Sequence, residues 1–237
     1  MIATFINAGL VLLGSILGLL LKNRISDRFS SVVTHALALC VASIGISMAI
    51  GTANTLCVII CMVLGVMLGE LLKIEDRLDG AGEFLRRKLV KGEGGNSRFT
   101  EGFVTATLLY CVGAMAITGS IEAGLNHNYG IIVSKGVIDG VTSITFAATM
   151  GIGVAFSVIP LTIYQGAITL LATVVGPYLP AEVITEMSAV GGIAIMGIAI
   201  NMIGIPNLKI KVGNMLPGIF LPILYIPIAN WLSTLVG

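Results

Sequence analysis

Ala3-Thr-Phe-Ile-Asn-Ala-Gly-Leu-Val-Leu-Leu-Gly-Ser-Ile-Leu-Gly-Leu-Leu-Leu-Lys22 holds one amide, Asn7, and no charge before its last residue. A helix of this length rises about 30 Å, the thickness of a bilayer's hydrocarbon core. The stretch therefore reads as a membrane-spanning helix. Seven more stretches of this kind follow, near 32–52, 54–73, 102–122, 131–155, 157–177, 184–205 and 213–235. They are numbered TM1 to TM8 in chain order.

The whole composition agrees. Of 237 residues 56% are apolar and only 11% charged, with a mean hydropathy of +1.03. A soluble domain carries roughly 25% charged residues, so a cytosolic enzyme is excluded. The net charge of +1 disfavours a nucleic-acid surface. Glycine is abundant at 30 residues and aromatics are only 6%, which suits close helix packing through small side chains. Neither the alternating strands nor the aromatic girdles of an outer-membrane barrel are visible. The expected fold is an all-α integral membrane protein with about eight transmembrane helices. It forms a single membrane domain over 1–237, parsed as 1–53 (TM1–2), 54–155 (TM3–5, with a cytoplasmic loop at 74–101) and 156–237 (TM6–8).

Basic residues set the expected orientation. With the N-terminus outside, twelve of the thirteen Lys and Arg residues fall in cytoplasmic segments, and only Lys135 lies on the other side. Both termini are then outside a bacterial inner membrane. TM1 lacks a basic n-region and a small-residue cleavage site, so it reads as a retained helix. Apolar residues at Ile74, Leu78, Ala81, Leu85 and Leu89 predict a short helix on the inner leaflet over 74–90. Gly92, Gly94, Gly95 and Asn96 then predict a flexible link. A solvated loop is the plainer alternative for this stretch.

Self-comparison shows internal matches. Leu13-Gly-Ser-Ile-Leu-Gly-Leu-Leu-Leu-Lys22 and Leu64-Gly-Val-Met-Leu-Gly-Glu-Leu-Leu-Lys73 share seven of ten residues. Cys111-Val-Gly-Ala-Met-Ala-Ile-Thr-Gly119 and Ala189-Val-Gly-Gly-Ile-Ala-Ile-Met-Gly197 share five of nine. TM5 and TM8 both open on a lysine, at Lys135-Gly-Val-Ile-Asp-Gly140 and Lys211-Val-Gly-Asn-Met-Leu-Pro217. The chain thus parses as a two-helix N-terminal fragment (TM1–2) and two three-helix units, TM3–5 and TM6–8. The charge-derived orientation inverts one unit relative to the other. Secondary transporters recurrently use such inverted repeats, with a site near the midplane. Short matches among Gly, Ala, Ile, Val and Leu also arise by chance in membrane helices.

Ionisable residues inside spans are rare and mark functional candidates. Lys135 and Asp139 are four apart on TM5, so they share a face and can pair. Thr142 and Ser143 add hydroxyls nearby. The matching part of TM8 offers Asn214 before Pro217, and Gln165 lies within TM6. The glycines at 136, 140, 213 and 218 would let the starts of TM5 and TM8 unwind, exposing backbone groups to a solute. Lys135 is otherwise a lysine snorkelling to the outer interface. Asn7, Tyr164, Gln165 and Asn201 are otherwise groups bonding between helices. Glu70, Glu122 and Glu186 read as interface charges. The candidate pathway is Lys135, Asp139, Thr142, Ser143, Gln165 and Asn214.

Cys40, Cys57, Cys61 and Cys111 all fall in spans and read as free thiols. With only His35 and His127 beside them, no metal set is expected. No phosphate loop, nucleophile elbow or cofactor motif appears, so neither an enzyme nor a bound cofactor is expected. The expected function is secondary transport of a small solute or ion. The alternatives are a passive oligomeric channel and a non-transporting scaffold or sensor. The expected partners are the lipid bilayer, the solute and, through the glycine faces Gly14/Gly18 and Gly65/Gly69, a second copy in a homodimer.

Phe5-Ile-Asn-Ala-Gly-Leu-Val-Leu-Leu-Gly-Ser-Ile-Leu-Gly18 resembles the start of the YdfK/YqgA-type bacterial membrane proteins, domain of unknown function 554. The stretches 111–121, 135–140, 164–166, 189–192 and 214–217 resemble them as well. The resemblance covers essentially the whole chain. It implies a prokaryotic inner-membrane protein with several spans, and it implies no activity and no binding residues.

Overall fold

The computed structural model describes residues 1–22, 27–89 and 96–236, and among them it is all helix, with no strand. The helices are α1 (Ile2–Lys22), α2 (Asp27–Ala49), α3 (Thr55–Leu72), α4 (Ile74–Leu89), α5 (Asn96–Cys111), α6 (Ala114–Leu125), α7 (Gly130–Met150), α8 (Gly153–Phe156), α9 (Val158–Leu170), α10 (Ala172–Val175), α11 (Ala181–Ile203), α12 (Leu216–Phe220) and α13 (Pro222–Val236). Among the described residues, six helical segments are long and apolar enough to cross a bilayer, and counting each of two bent pairs as one span brings the number to as many as eight. The expected count of about eight is the upper end of this range. The helix expected over 74–90 is α4, and the Gly92–Gly95 part of the link lies outside the described residues.

Both bent pairs have a local cause. Between α5 and α6 the axis turns by 58°. Gly113 stands at the corner with φ 125°, a conformation open to glycine and costly elsewhere. In TM8 a 3-10 turn, Val212–Met215, leads into α12, and α13 departs at 42°. Pro217 and Pro222 begin those two pieces, where a missing N–H costs no bond. The expected break in TM8 is therefore present. The expected unwinding of TM5 is not, because α7 runs unbroken from Gly130 to Met150. Its glycines serve packing instead. A methyl on Gly140 would lie 2.9 Å from the Leu10 carbonyl oxygen, and one on Gly136 would lie 3.0 Å from Asn7 Cα.

Three helix pairs organise the bundle. α1 packs parallel to α7, with Gly14 against Gly140 and Gly18 against Ile144. α3 packs antiparallel to the start of TM8, with Gly65 against Gly218 and Gly69 against Asn214. The matched segments 13–22 and 64–73 thus perform the same task, each laying two glycines on another helix's backbone. α2 packs antiparallel to α11, with Gly45 against Gly192. α11 is the most enclosed span. On one side Ile195 and Ile198 join Val11, Val41, Tyr110, Phe146 and Leu161, while on the other Val183, Met187 and Val190 join Cys57, Cys61, Ile117 and Ile219. The outer faces are apolar too. Leu13, Leu17 and Leu20 of α1 and Ile59, Met67 and Leu71 of α3 are more than half exposed. That is how a bundle solvated by lipid looks.

Candidate functional site

The site begins with the spacing of α7. Four residues bring Lys135 over Asp139, and the two form an ion pair with both side chains buried. The Lys135 ammonium also lies over the Tyr110 ring, 5.8 Å from its centre. The glycine contacts of α1 with α7 then bring Asn7 in. Its Nδ2 lies 3.4 Å from Asp139 Oδ2 and donates to Gln165 Oε1 at 3.1 Å. One turn further along α7, the Ser143 hydroxyl bonds the Asp139 carbonyl and the Tyr110 hydroxyl, each at 2.7 Å. α1, α5, α7 and α9 thus converge on one polar centre within the apolar bundle.

This centre has unspent capacity. Asn7 Oδ1 and Gln165 Nε2 are buried with no partner on the protein, as are the hydroxyls of Thr4 and Thr169. Gly151, which follows α7, lies by Lys22, while Gly166 lies by Met1. α9 therefore runs antiparallel to α1. Thr4 and Thr169 fall on the same side of the Asn7–Gln165 bond, one turn nearer the end that holds Met1. Buried polar atoms without partners cost free energy, about 1–3 kcal/mol each.

A second polar cluster lies at the opposite, lysine-bearing end. Asn214 Oδ1 accepts from the Glu75 N–H at 2.8 Å, and its Nδ2 donates to Glu70 at 2.6 Å. The Gly213 N–H donates to Glu75 Oε2 at 2.6 Å. Lys211 pairs with Glu70 at 2.8 Å, and Lys209 reaches Asp79 at 3.5 Å and Glu75 at 3.7 Å. Burial pushes the Glu75 carboxyl above its usual range, against the pull of the Gly213 N–H. The Glu70 carboxylate holds the Lys211 ammonium above its ordinary value. This cluster ties α3 and α4 to the 3-10 start of TM8.

The candidate residues therefore divide. Lys135, Asp139, Ser143 and Gln165 meet at the first centre. Asn214 belongs to the second cluster, with its own partners. Thr142 is half-buried and gives its hydroxyl to the Ile138 carbonyl at 2.7 Å, beside exposed Val141. Among the described residues no group of His, Cys, Asp and Glu converges as a metal site would.

Two cavities accompany the clusters. One of about 610 Å³ is lined by Glu75, Asp79, Glu101, Lys209, Asn201 and Thr105, among others. A second of about 250 Å³ is almost wholly apolar and lies at the two bends, against Cys111, Val112, Gly113, Tyr164, Leu216 and Phe220. Val104 and Leu108 line both. Tyr164 and Cys111 adjoin, in the chain, the Gln165 and Tyr110 of the first centre.

Sequence reasoning passed over Thr4, Thr169, Tyr110, Glu75 and the depth of Glu186. The threonines carried a signal, since Thr4 is three residues from Asn7 and Thr169 four from Gln165, each pair on one helix face. Glu186 is 1% exposed and accepts from the N–H groups of Ala53 and Asn54 and from the Thr52 hydroxyl. From α11 it fastens the α2–α3 turn, more deeply buried in the protein than its place toward the end of TM7 suggested.

No solved structure matches the chain. It is 31% identical to the "Uncharacterized membrane protein YdfK" of Bacillus subtilis (strain 168) over 221 residues, 92% of this chain and 92% of that protein. It is 30% identical to the "Uncharacterized protein YqgA" of Escherichia coli (strain K12) over 219 residues, 91% of this chain and 92% of that one. The profile described as "Protein of unknown function (DUF554)" matches residues 2–226, and this multi-helix membrane protein belongs to that family.

Proposed function

We propose that this protein is a secondary transporter of a small solute, with its binding centre at Lys135, Asp139, Asn7, Gln165 and Ser143. One observation carries the reading. A buried ion pair stands beside two fully buried amides that each keep an unpartnered arm. A purely structural centre gains by saturating such groups, and ionisable groups at this depth mark solute or ion pathways. The bends in TM4 and TM8 and the apolar cavity between them supply a place for movement. The second cluster would hold the α3–α4 corner against TM8 as the gate at the lysine-bearing end. Alternating access between TM3–5 and TM6–8 as inverted units is part of the proposal. The match of segments 111–119 and 189–197, which lie in TM4 and TM7, supports it. We place the lysine-bearing end in the cytoplasm and both termini outside, in a bacterial inner membrane.

The test is uptake into proteoliposomes of the purified chain, screened with neutral, cationic and anionic small solutes. Asp139→Asn should change the rate or pH dependence far more than Glu122→Gln, while both variants insert. Equal uptake by empty liposomes for every solute class would refute transport.

A further inference from the structure

We infer that the Lys135–Asp139 centre takes a small monocarboxylate together with one proton, an inference that rests on the transport reading and gives it a substrate class. Charge balance is the first argument. The empty centre is neutral, one ammonium against one carboxylate, both buried. The other titratable groups beside the pair are Tyr110 of α5, whose ring lies under the Lys135 ammonium, and its chain neighbour Cys111, both uncharged when protonated, while α1 contributes the neutral Asn7. An anion entering alone would leave a net negative charge in the bundle, and a proton alone a net positive one. Either costs several kcal/mol per uncompensated buried ion. Entering together they keep the sum at zero. The proton moves onto Asp139, and Lys135, released from its pair, takes the anion.

Hydrogen-bond inventory is the second argument, and it accounts for the unspent atoms. A protonated Asp139 becomes a donor and needs an acceptor. Asn7 Oδ1 is that acceptor, buried and without a partner beside the carboxylate. Turning the Asn7 amide to receive the Asp139 O–H gives up its bond to Gln165 Oε1 and frees its Nδ2. That group, Gln165 Nε2 and the hydroxyls of Thr4 and Thr169 are then all available to donate to an anion beside the Lys135 ammonium. A metal cation fits this set poorly, because the Gln165 Nε2 donor and the ammonium both repel it. Cys111 and Tyr164, next in the chain to Tyr110 and Gln165 of the centre, line an apolar cavity, and a short aliphatic tail directed that way would favour a carboxylate over an inorganic anion.

The test is calorimetric titration of the full chain, in detergent micelles, with pyruvate and L-lactate. Repeating it in buffers of different ionisation enthalpy counts protons bound per anion. One proton should be taken up per anion at a pH where Asp139 is ionised in the empty centre, and affinity should there fall about tenfold per pH unit as pH rises. Asp139→Asn should still bind but take up no proton, Lys135→Met should not bind, and Glu122→Gln should match the wild type. No binding of either anion, or binding without proton uptake in the wild type, overturns the inference. Because this reads binding and not flux, its failure leaves transport of another solute class standing. Conversely, coupled binding without uptake would refute only the transporter.

Discussion

Glu186→Ala against Glu186→Gln is the sharpest comparison the structure offers. The carboxylate sits at the α2–α3 turn, where Oε1 accepts from Ala53 N at 2.8 Å and Asn54 N at 3.1 Å, and Oε2 from the Thr52 hydroxyl at 2.5 Å. Truncation to alanine strands the Ala53 N–H. Asn54 N keeps a second acceptor, the Thr52 hydroxyl at 2.9 Å. Two charge-assisted bonds are therefore lost outright, from the Ala53 N–H and the Thr52 hydroxyl, about 1.5–3 kcal/mol each, and the exposure of Ala53 and of part of Thr52 puts both toward the low end. One buried methylene, Cγ, goes with them, about 0.8 kcal/mol. The alanine variant should lose about 3–4 kcal/mol. Glutamine keeps an oxygen with two lone pairs for the same two N–H groups and offers its Nε2 to Thr52. Only the charge assistance goes, about 1 kcal/mol. Reversible unfolding in mixed micelles titrated with SDS measures both variants. An alanine variant within about 0.5 kcal/mol of the wild type, the size of an ordinary surface change, would refute this account of the turn. So would a glutamine variant as damaged as the alanine one.

Gly69→Ala would drive a methyl into the Asn214 carbonyl oxygen, with the Asn214 Cα at 2.6 Å, and that backbone cannot retreat without moving TM8; overpacking of this kind costs about 1–3 kcal/mol. Gly9→Ala meets nothing within 4 Å and should be neutral or slightly stabilising in the same unfolding assay. Glu75 titrates above its unfolded value because it is buried. The folded protein therefore holds that proton more tightly, and the stability so gained is complete below the unfolded pKa and lost as pH rises through the folded one. Glu75→Gln should flatten this part of the stability–pH curve above the ordinary glutamate range, and an unchanged curve would exclude Glu75 as its source. A topology reporter after Gly237 should be active outside, and one inserted within 92–96 should be active in the cytoplasm. Activity of both on one side would rule out eight spans.

What could be read in the sequence followed from local periodicity. Span boundaries came from unbroken apolar runs, because lipid demands internal backbone bonding over a fixed length. The Lys135–Asp139 pair came from i,i+4 spacing, and Asn7 and Gln165 stood out as amides within apolar spans. What could not be read depends on where one helix stops against another. Asn214 reaches Glu70 and Glu75 only because TM8 starts as a 3-10 turn under the α3–α4 corner, and no spacing within TM8 encodes that. Gly136 and Gly140 looked like points of unwinding, yet a glycine serves equally for breaking a helix and for admitting a neighbour's backbone. The choice is made by α1, over a hundred residues away.

On the proposed reading, hydrogen-bond satisfaction distinguishes the amides of the candidate centre from the amides and carboxylate that hold turns. Asn201 uses both arms on Ile210, accepting its N–H and donating to its carbonyl at 2.8 Å each. Asn214 uses both arms, and Glu186 both oxygens. All three fasten a turn or a chain reversal, and each is saturated because nothing else is asked of it. Asn7 and Gln165 are more deeply buried than Asn201, yet each keeps one arm idle beside an ion pair that fixes no turn. In a bundle held mainly by glycine contacts and apolar packing, isoleucine or leucine at 7 and 165 would remove those idle groups and their cost. An amide with a spare donor or acceptor is what a centre needs when it must exchange one set of partners for another, and among the described amides Asn7 and Gln165 stand where a charged pair could drive that exchange.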